Sequence, residues 1–367
     1  MSELNGQQNN RMLHWQLLTT VSAFVLLGFA SASAADSDDA DRPIIWIELG
    51  GQLDRLDDGQ QKIAPPFFAS ISKAGFTSPL ILEKQPHYSI DEDGKISFEP
   101  SSSDWVLSAS VRYGRNTSKG YRHQQTDDMF PGLRSIGPTV ARFRYAETTT
   151  GGAESHVILD FMAGRDIGLG MGGTSVLGGG LRFAQFQSRS KIGAYTDPDY
   201  MRTQGTGLPY KYFHNDSAHA QNRTSFTGVG PALSWEASMP LSGETRNGKI
   251  SFDWGLNGAV LFGKQKSRGS HQTKGALSTG VNLAFLGIYY HTTHYTHSKL
   301  HDRSRIVTIP NLGATAGVSF HYANAKVSLG YRADMFFGAM DGGIDTRKSE
   351  NVGFYGPFAT ISIGIGG

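Results

Sequence analysis

The sequence has no cysteine among its 367 residues. That excludes a thiol nucleophile, a disulfide framework and thiolate metal sites. It also suits a chain that crosses an oxidising compartment unfolded. An excess of one charge is missing as well. Against 34 Lys and Arg stand 32 Asp and Glu, a formal net charge of +2. So balanced a chain offers no polycationic surface, and no nucleic-acid partner is expected. Long apolar runs are lacking after residue 30. Any membrane crossing further along therefore has to use strands rather than helices. Mean hydropathy is only −0.31. This does not argue against a membrane, because a transmembrane strand turns only every second residue to lipid.

What is present begins with an export signal. Arg11 supplies a modest basic start, and Val21–Ala30 is a short apolar core. Ala32-Ser33-Ala34 then places small residues where a signal peptidase reads them. The pattern predicts a cleaved signal over 1–34 and one mature domain over 35–367. The core is shorter than the roughly 20 apolar residues of a spanning helix.

The mature chain is rich in period-2 segments. In Lys249–Phe262, residues Ile250, Phe252, Trp254, Leu256, Val260 and Phe262 share one face, and Ser251, Asp253, Gly255 and Asn257 share the other. Side chains alternate across a strand, so this is one apolar and one polar face. Trp105–Tyr113, Asn311–Tyr322, Ala325–Phe337 and the C-terminal Tyr355–Ile365 repeat the pattern. A soluble sandwich would point the apolar faces inward. A transmembrane barrel points them outward, to lipid. Strand length, a polar face rich in Gly, Ser and Thr with charges of both signs, and aromatics at both strand ends favour the barrel.

The expected fold is therefore all-β: a single antiparallel transmembrane up-and-down barrel. Ten strands are predicted: 44–53, 95–100, 103–114, 155–165, 175–187, 224–239, 249–263, 307–322, 325–337 and 353–365. Short connections then alternate with longer ones near 54–94, 115–154, 188–223, 264–306 and 338–352. Short periplasmic turns, long extracellular loops and periplasmic termini are the outer-membrane arrangement. Trp105, Trp235, Trp254 and Tyr322 fall at periplasmic ends, and Tyr113, Phe262, Phe337 and Tyr355 at extracellular ends. Amphipathic rings prefer the headgroup level, so these form two aromatic belts. Ile136–Tyr145 and Gly280–Tyr290 alternate inside predicted loops. They are either strand extensions above the membrane or further spans, which would raise the count to twelve.

Several stretches resemble a family of Gly-rich outer-membrane β-barrel proteins of proteobacteria. They are Trp46–Gln52, Ser110–Arg115, Asp160–Met171, Phe252–Gly255, Leu261–Lys266, Gly330–Asp334 running on to Gly342–Asp345, and Gly356–Gly367. The resemblance covers nearly all of the mature chain. More distantly, it is similar to the pore-forming major outer membrane proteins of the Legionella type, which implies pore formation. The sequence ends Ile365-Gly366-Gly367, where outer-membrane barrels typically end in an aromatic residue.

Charged residues on the polar face are the candidates for function. Glu48, Asp160, Glu236, Asp253 and Asp334 are expected to face the lumen with Arg112, Arg182, Lys326 and Arg332. Glu99 and Lys95 share that face. Eight strands make a filled barrel and sixteen an aqueous channel, so ten lie near the filled end. Either opposite charges pair across the lumen and seal it, or they line a constricted polar pore. The spacing His291-x-x-His294-x-x-His297, with His301, is a candidate metal set, because imidazole is a common ligand. Against it, an x-x repeat does not hold ligands on one face of a strand. Only His214 with Asp216 and His301 with Asp302 are local acid–base pairs, so no enzymatic activity and no cofactor are expected. Gly168-x-Gly170-x-x-Gly173 has dinucleotide-fingerprint spacing but no following helix, and it reads as a hairpin turn.

The functional expectation is a passive outer-membrane barrel, either a small pore or a structural envelope protein. The alternative is a surface binding module that uses segments 188–223, with Tyr210–Asn215, and 264–306. Expected partners are outer-membrane lipid and the barrel-assembly machinery. Small solutes or an external ligand are the further candidates.

Overall fold

The computed structural model describes residues 45–58, 88–100, 103–128, 143–169, 173–203, 210–244, 248–283, 287–343 and 347–366. The signal segment 1–34 and residues 136–142 lie outside them. Among the described residues there is no helix. The strands are β1 (Ile45–Asp58), β2 (Tyr88–Phe98), β3 (Trp105–Asp128), β4 (Phe143–Asp166), β5 (Thr174–Thr203), β6 (Tyr210–Glu244), β7 (Gly248–Leu283), β8 (Gly287–Tyr322), β9 (Ala325–Asp341) and β10 (Ser349–Ile365). Each pairs antiparallel with its sequence neighbours, and β1 pairs with β10 to close a ten-stranded barrel. The twelve-strand alternative is thereby excluded.

The direction of the apolar faces is unambiguous. On β7, Phe252, Leu256, Val260 and Phe262 are exposed, while the intervening Ser251, Gly255, Ala259 and Leu261 are buried. On β6 and β9, Leu233 and Leu329 are 69% and 61% exposed. An outward apolar band this broad is unsuited to water. Trp105, Phe262, Tyr322 and Phe337 are exposed, and Tyr113, Trp235, Trp254 and Tyr355 are half-buried. All eight lie on the outward strand parity, but exposed Ile250 and Phe252 lie nearer the turn end of β7 than Trp254 does. Trp235 and Trp254 meet edge-on with ring centres 6.4 Å apart, and Phe252 stacks on Trp254 at 5.6 Å.

One barrel end carries the short connections (the turn end). There, Asp166 Oδ1 accepts the N–H groups of Gly168 and Ser175 at 2.8 and 2.9 Å. Gly168 has φ +68°, so a residue without Cβ closes this turn. At the opposite end the strands depart from expectation. β6, β7 and β8 run to 35, 36 and 36 residues, whereas β1 and β2 stop at 14 and 11. Segments 188–223 and 264–306 are thus mostly strand, not loop, and Gly280–Leu283 pairs with Gly287–Tyr290 in the β7–β8 ribbon. Tyr210–Asn215 and the His291–His301 series also lie in strands. The apolar alternation ends at the band, but the backbone ladder continues.

Candidate functional site: the barrel interior

Successive inward residues on each strand stack the interior into layers. On β9 these are Lys326, Arg332, Asp334 and Phe336; on β7 they are Asp253, Asn257, Leu261 and Gln265. At the turn end, Lys95 Nζ reaches Glu236 Oε2 at 2.8 Å, and Lys326 Nζ reaches Asp253 Oδ2 at 2.7 Å. Ser238 donates to Asp253 at 2.6 Å, and Ser362 donates to Glu48 at 2.8 Å. β2 and β6 are not neighbours, so the Lys95–Glu236 pair bridges the lumen.

A second charged layer follows. Arg112 pairs with Asp334 at 2.6 Å and Arg332 with Asp93 at 2.5 Å. The Arg332 guanidinium also sits 5.1 Å from the centre of the Phe358 ring. Arg182 grips Asp160 with two donors, at 2.6 and 2.8 Å. Its remaining nitrogen donates to Asn257 at 2.7 Å and also to Asn311. Such fork-to-fork geometry favours Arg over Lys.

Beyond the charges lies an apolar plug that sequence reasoning missed. Phe186, Phe226, Phe336 and Phe354 are at most 2% exposed and pack with Ile158, Leu261 and Ile309. Phe186 meets Phe226, Phe336 and Phe354 at 5.9, 4.6 and 5.6 Å between ring centres. The overlooked signal was a large aromatic on the polar parity of four strands. Over this plug β9 turns inward. At Gly338 φ is +72°, its N–H is held by Asn351 Oδ1 at 2.9 Å, and the β9–β10 register shifts between Glu350 and Val352. This bulge re-aims the strand, and Ala339, Met340 and Asp341 are buried. Gln265 Nε2 donates to the Ala339 carbonyl at 2.9 Å, and Arg305 donates to Gln265 Oε1 at 2.7 Å. Arg303 pairs with Asp341 at 3.0 Å, and Asp341 also accepts the Lys348 N–H at 3.0 Å. The cavity left beside His156, Phe186 and Phe354 measures 40 Å³, room for only a few waters.

Against the plug stands a second unforeseen cluster. Asp54, Asp91 and His156 are 0%, 0% and 3% exposed. His156 Nε2 lies 2.8 Å from Asp91 Oδ2, and Gln52 donates to Asp54 Oδ1 at 2.9 Å. The His156 ring centre is 4.1 Å from that of Phe354. A Cβ at position 114 would collide with both Asp91 and His156, so the cluster requires Gly114. Each of the three can offer one ligand atom within 4.8 Å of the others, the one such group among the described residues. Two of the four predicted histidines have described side chains. His294 is exposed and His301 half-buried, on opposite strand parities, and the side chains of His291 and His297 lie outside the described residues. His301 instead stacks on His271 at 6.4 Å. Asp302 is exposed, and the side chains of His214 and Asp216 are not described.

No protein-family model and no curated protein sequence matches the chain. Among solved structures, the transport unit of the autotransporter AIDA-I from Escherichia coli is 8% identical. It covers 90% of this chain and 93% of its own, at a TM-score of 0.19. The translocator domain of the autotransporter NalP from Neisseria meningitidis is 9% identical over 97% of both chains, at a TM-score of 0.20. The Ralstonia pickettii toluene transporter TbuX is 8% identical over 89% of this chain and 90% of its own, also at 0.20. The class is defined by the chain's own geometry: a closed, up-and-down antiparallel barrel with an apolar exterior and a filled polar interior.

Proposed function

We propose that this chain is an outer-membrane barrel of passive, structural role whose lumen is sealed. After export through the periplasm with removal of residues 1–34, the barrel-assembly machinery inserts it with its turn end periplasmic. The four-phenylalanine plug between charged layers carries this reading. A conducting pore needs a continuous wet path, and the buried phenylalanine cluster stands across it. Planar-bilayer recording tests it. The wild-type barrel stays electrically silent, and the combined Phe186→Ser, Phe336→Ser and Phe354→Ser variant gains conductance steps. Wild-type steps of small-pore size would instead support the pore reading.

A second reading, a surface binding module, is favoured by the tall ribbons of β5–β8. At about 3.3 Å per residue, 36 residues extend on the order of 120 Å, far more than the 9–11 residues a crossing needs. Shortening β7 and β8 beyond Gly269 and His301 should abolish binding of an external ligand while leaving the barrel folded. A hydrolytic role for Asp54, Asp91 and His156 gains no support, because a hydrolase needs a face open to substrate.

A further inference from the structure

The outer surface changes character abruptly at the ribbon end of the apolar band. On β7, the outward residue Phe262 is followed by Lys264, Lys266 and Arg268, all exposed. On β5 the outward series reaches exposed Arg189 and Lys191, and on β6 it reaches exposed Arg223. The pairing aligns these residues. Arg189 is opposite Arg223, and Arg223 is opposite Arg268. Three arginines therefore stand in one row across three neighbouring strands, each the third outward position beyond Phe183, Val229 and Phe262. Like charges directly opposite on a sheet repel. Among the described residues none of the three is ion-paired, and the one acid continuing the row, exposed Asp302 opposite Arg268, cannot neutralise all three. One register step further lies a groove of 810 Å³, lined by Lys191, His219, Gln221, Ser270, Gln272 and Ser298. A row of forked cations beside a groove of hydrogen-bonding side chains suits phosphate groups carried on sugar.

We infer that the Arg189–Arg223–Arg268 row, with Lys191 and Lys266, binds the phosphorylated sugar headgroup of an outer-leaflet glycolipid. This rests on the membrane reading above, which sets the row at headgroup level. The lipid tails lie along Val229 and Phe262, the phosphates meet the arginines, and the sugar hydroxyls enter the groove. Surface cations act within a Debye length of anionic headgroups, so binding weakens as salt rises.

The test uses the mature barrel in phosphatidylcholine vesicles, with and without lipid A, read by the heat-modifiable unfolding temperature. Lipid A should raise that temperature in the wild type. The Arg189→Gln, Arg223→Gln, Arg268→Gln variant should need about a hundredfold more lipid A for the same rise, from roughly fivefold per cation. The matching Arg→Lys triple variant should keep the charge-driven part and lose the bidentate part, falling between the wild type and the Gln variant, and Arg165→Gln at the turn end should change nothing. Equal loss in Arg165→Gln, full retention in the Gln triple variant, or the same rise from inorganic phosphate at matched phosphate would overturn the inference. Flotation with plain phosphatidylcholine vesicles separates the two claims. If the wild type does not float, the membrane reading fails. If it floats without a lipid A effect, this inference alone fails.

Discussion

The two sides of the barrel differ in height and in what holds them. β1, β2, β9 and β10 form a low side of 14, 11, 17 and 17 residues. β5–β8 form a tall side of 30 to 36 residues. The low side supplies Asp54, Asp91, Asp93, Arg332, Asp334, Phe336 and Phe354, much of the interior's charge and half its plug. Among the described residues the upper tall side adds no comparable core, and its exposed outer face carries Arg, Lys, Gln and Ser. Stability should therefore be concentrated in the sealed interior, while the ribbons can vary at little cost to the fold.

The largest expected effect is at Phe336. Phe336→Ala should cost about 3–5 kcal/mol by opening a cavity in the plug. Arg182→Ala leaves the largely enclosed Asp160, its side chain 16% exposed, without its partner, at a cost of about 3 kcal/mol. The check is urea unfolding in micelles. Replacing both partners, Arg182→Met with Asp160→Leu, should recover most of that loss, and a double variant as unstable as the single would break the comparison. On the outer band, Leu233→Lys should cost about 2–4 kcal/mol near the bilayer midplane, measured by reversible folding into vesicles. Gly114→Ala should cost about 1–3 kcal/mol by overpacking against Asp91 and His156. Smallest of all, Lys299→Ala on the tall side should stay within about 0.5 kcal/mol. A ribbon substitution as costly as the Phe336 change would erase the distinction between the sides.

The sequence made the barrel legible because an outward apolar band forces strict alternation, as in Lys249–Phe262 and Ala325–Phe337. The strand ends were not legible for the same reason. Above Phe262 and below Arg223 the outward positions turn polar, so hydropathy loses its period while the backbone goes on pairing. β2 was read to start at Lys95 because Ile90–Gly94 includes three acids. In fact those acids face Gln52, Gly51 and Gly50 of β1, within the ladder. That shortfall hid Asp91 and Asp93, and ending β1 at Leu53 hid Asp54. Long-range partners such as Arg112 with Asp334 depend on closure, which local pattern cannot specify. The plug was missed because polar parity was taken to mean polar content. Phe186, Phe226, Phe336 and Phe354 break that rule, packing together inside the barrel.

The most direct test asks which side chains meet acyl chains. Two single-Trp versions of the mature barrel, one keeping Trp254 and one carrying Phe336→Trp, are folded into vesicles whose lipids have brominated tails. Quenching of Trp254 with an unquenched tryptophan at 336 is the predicted result. Quenching at 336 with Trp254 untouched would contradict the account.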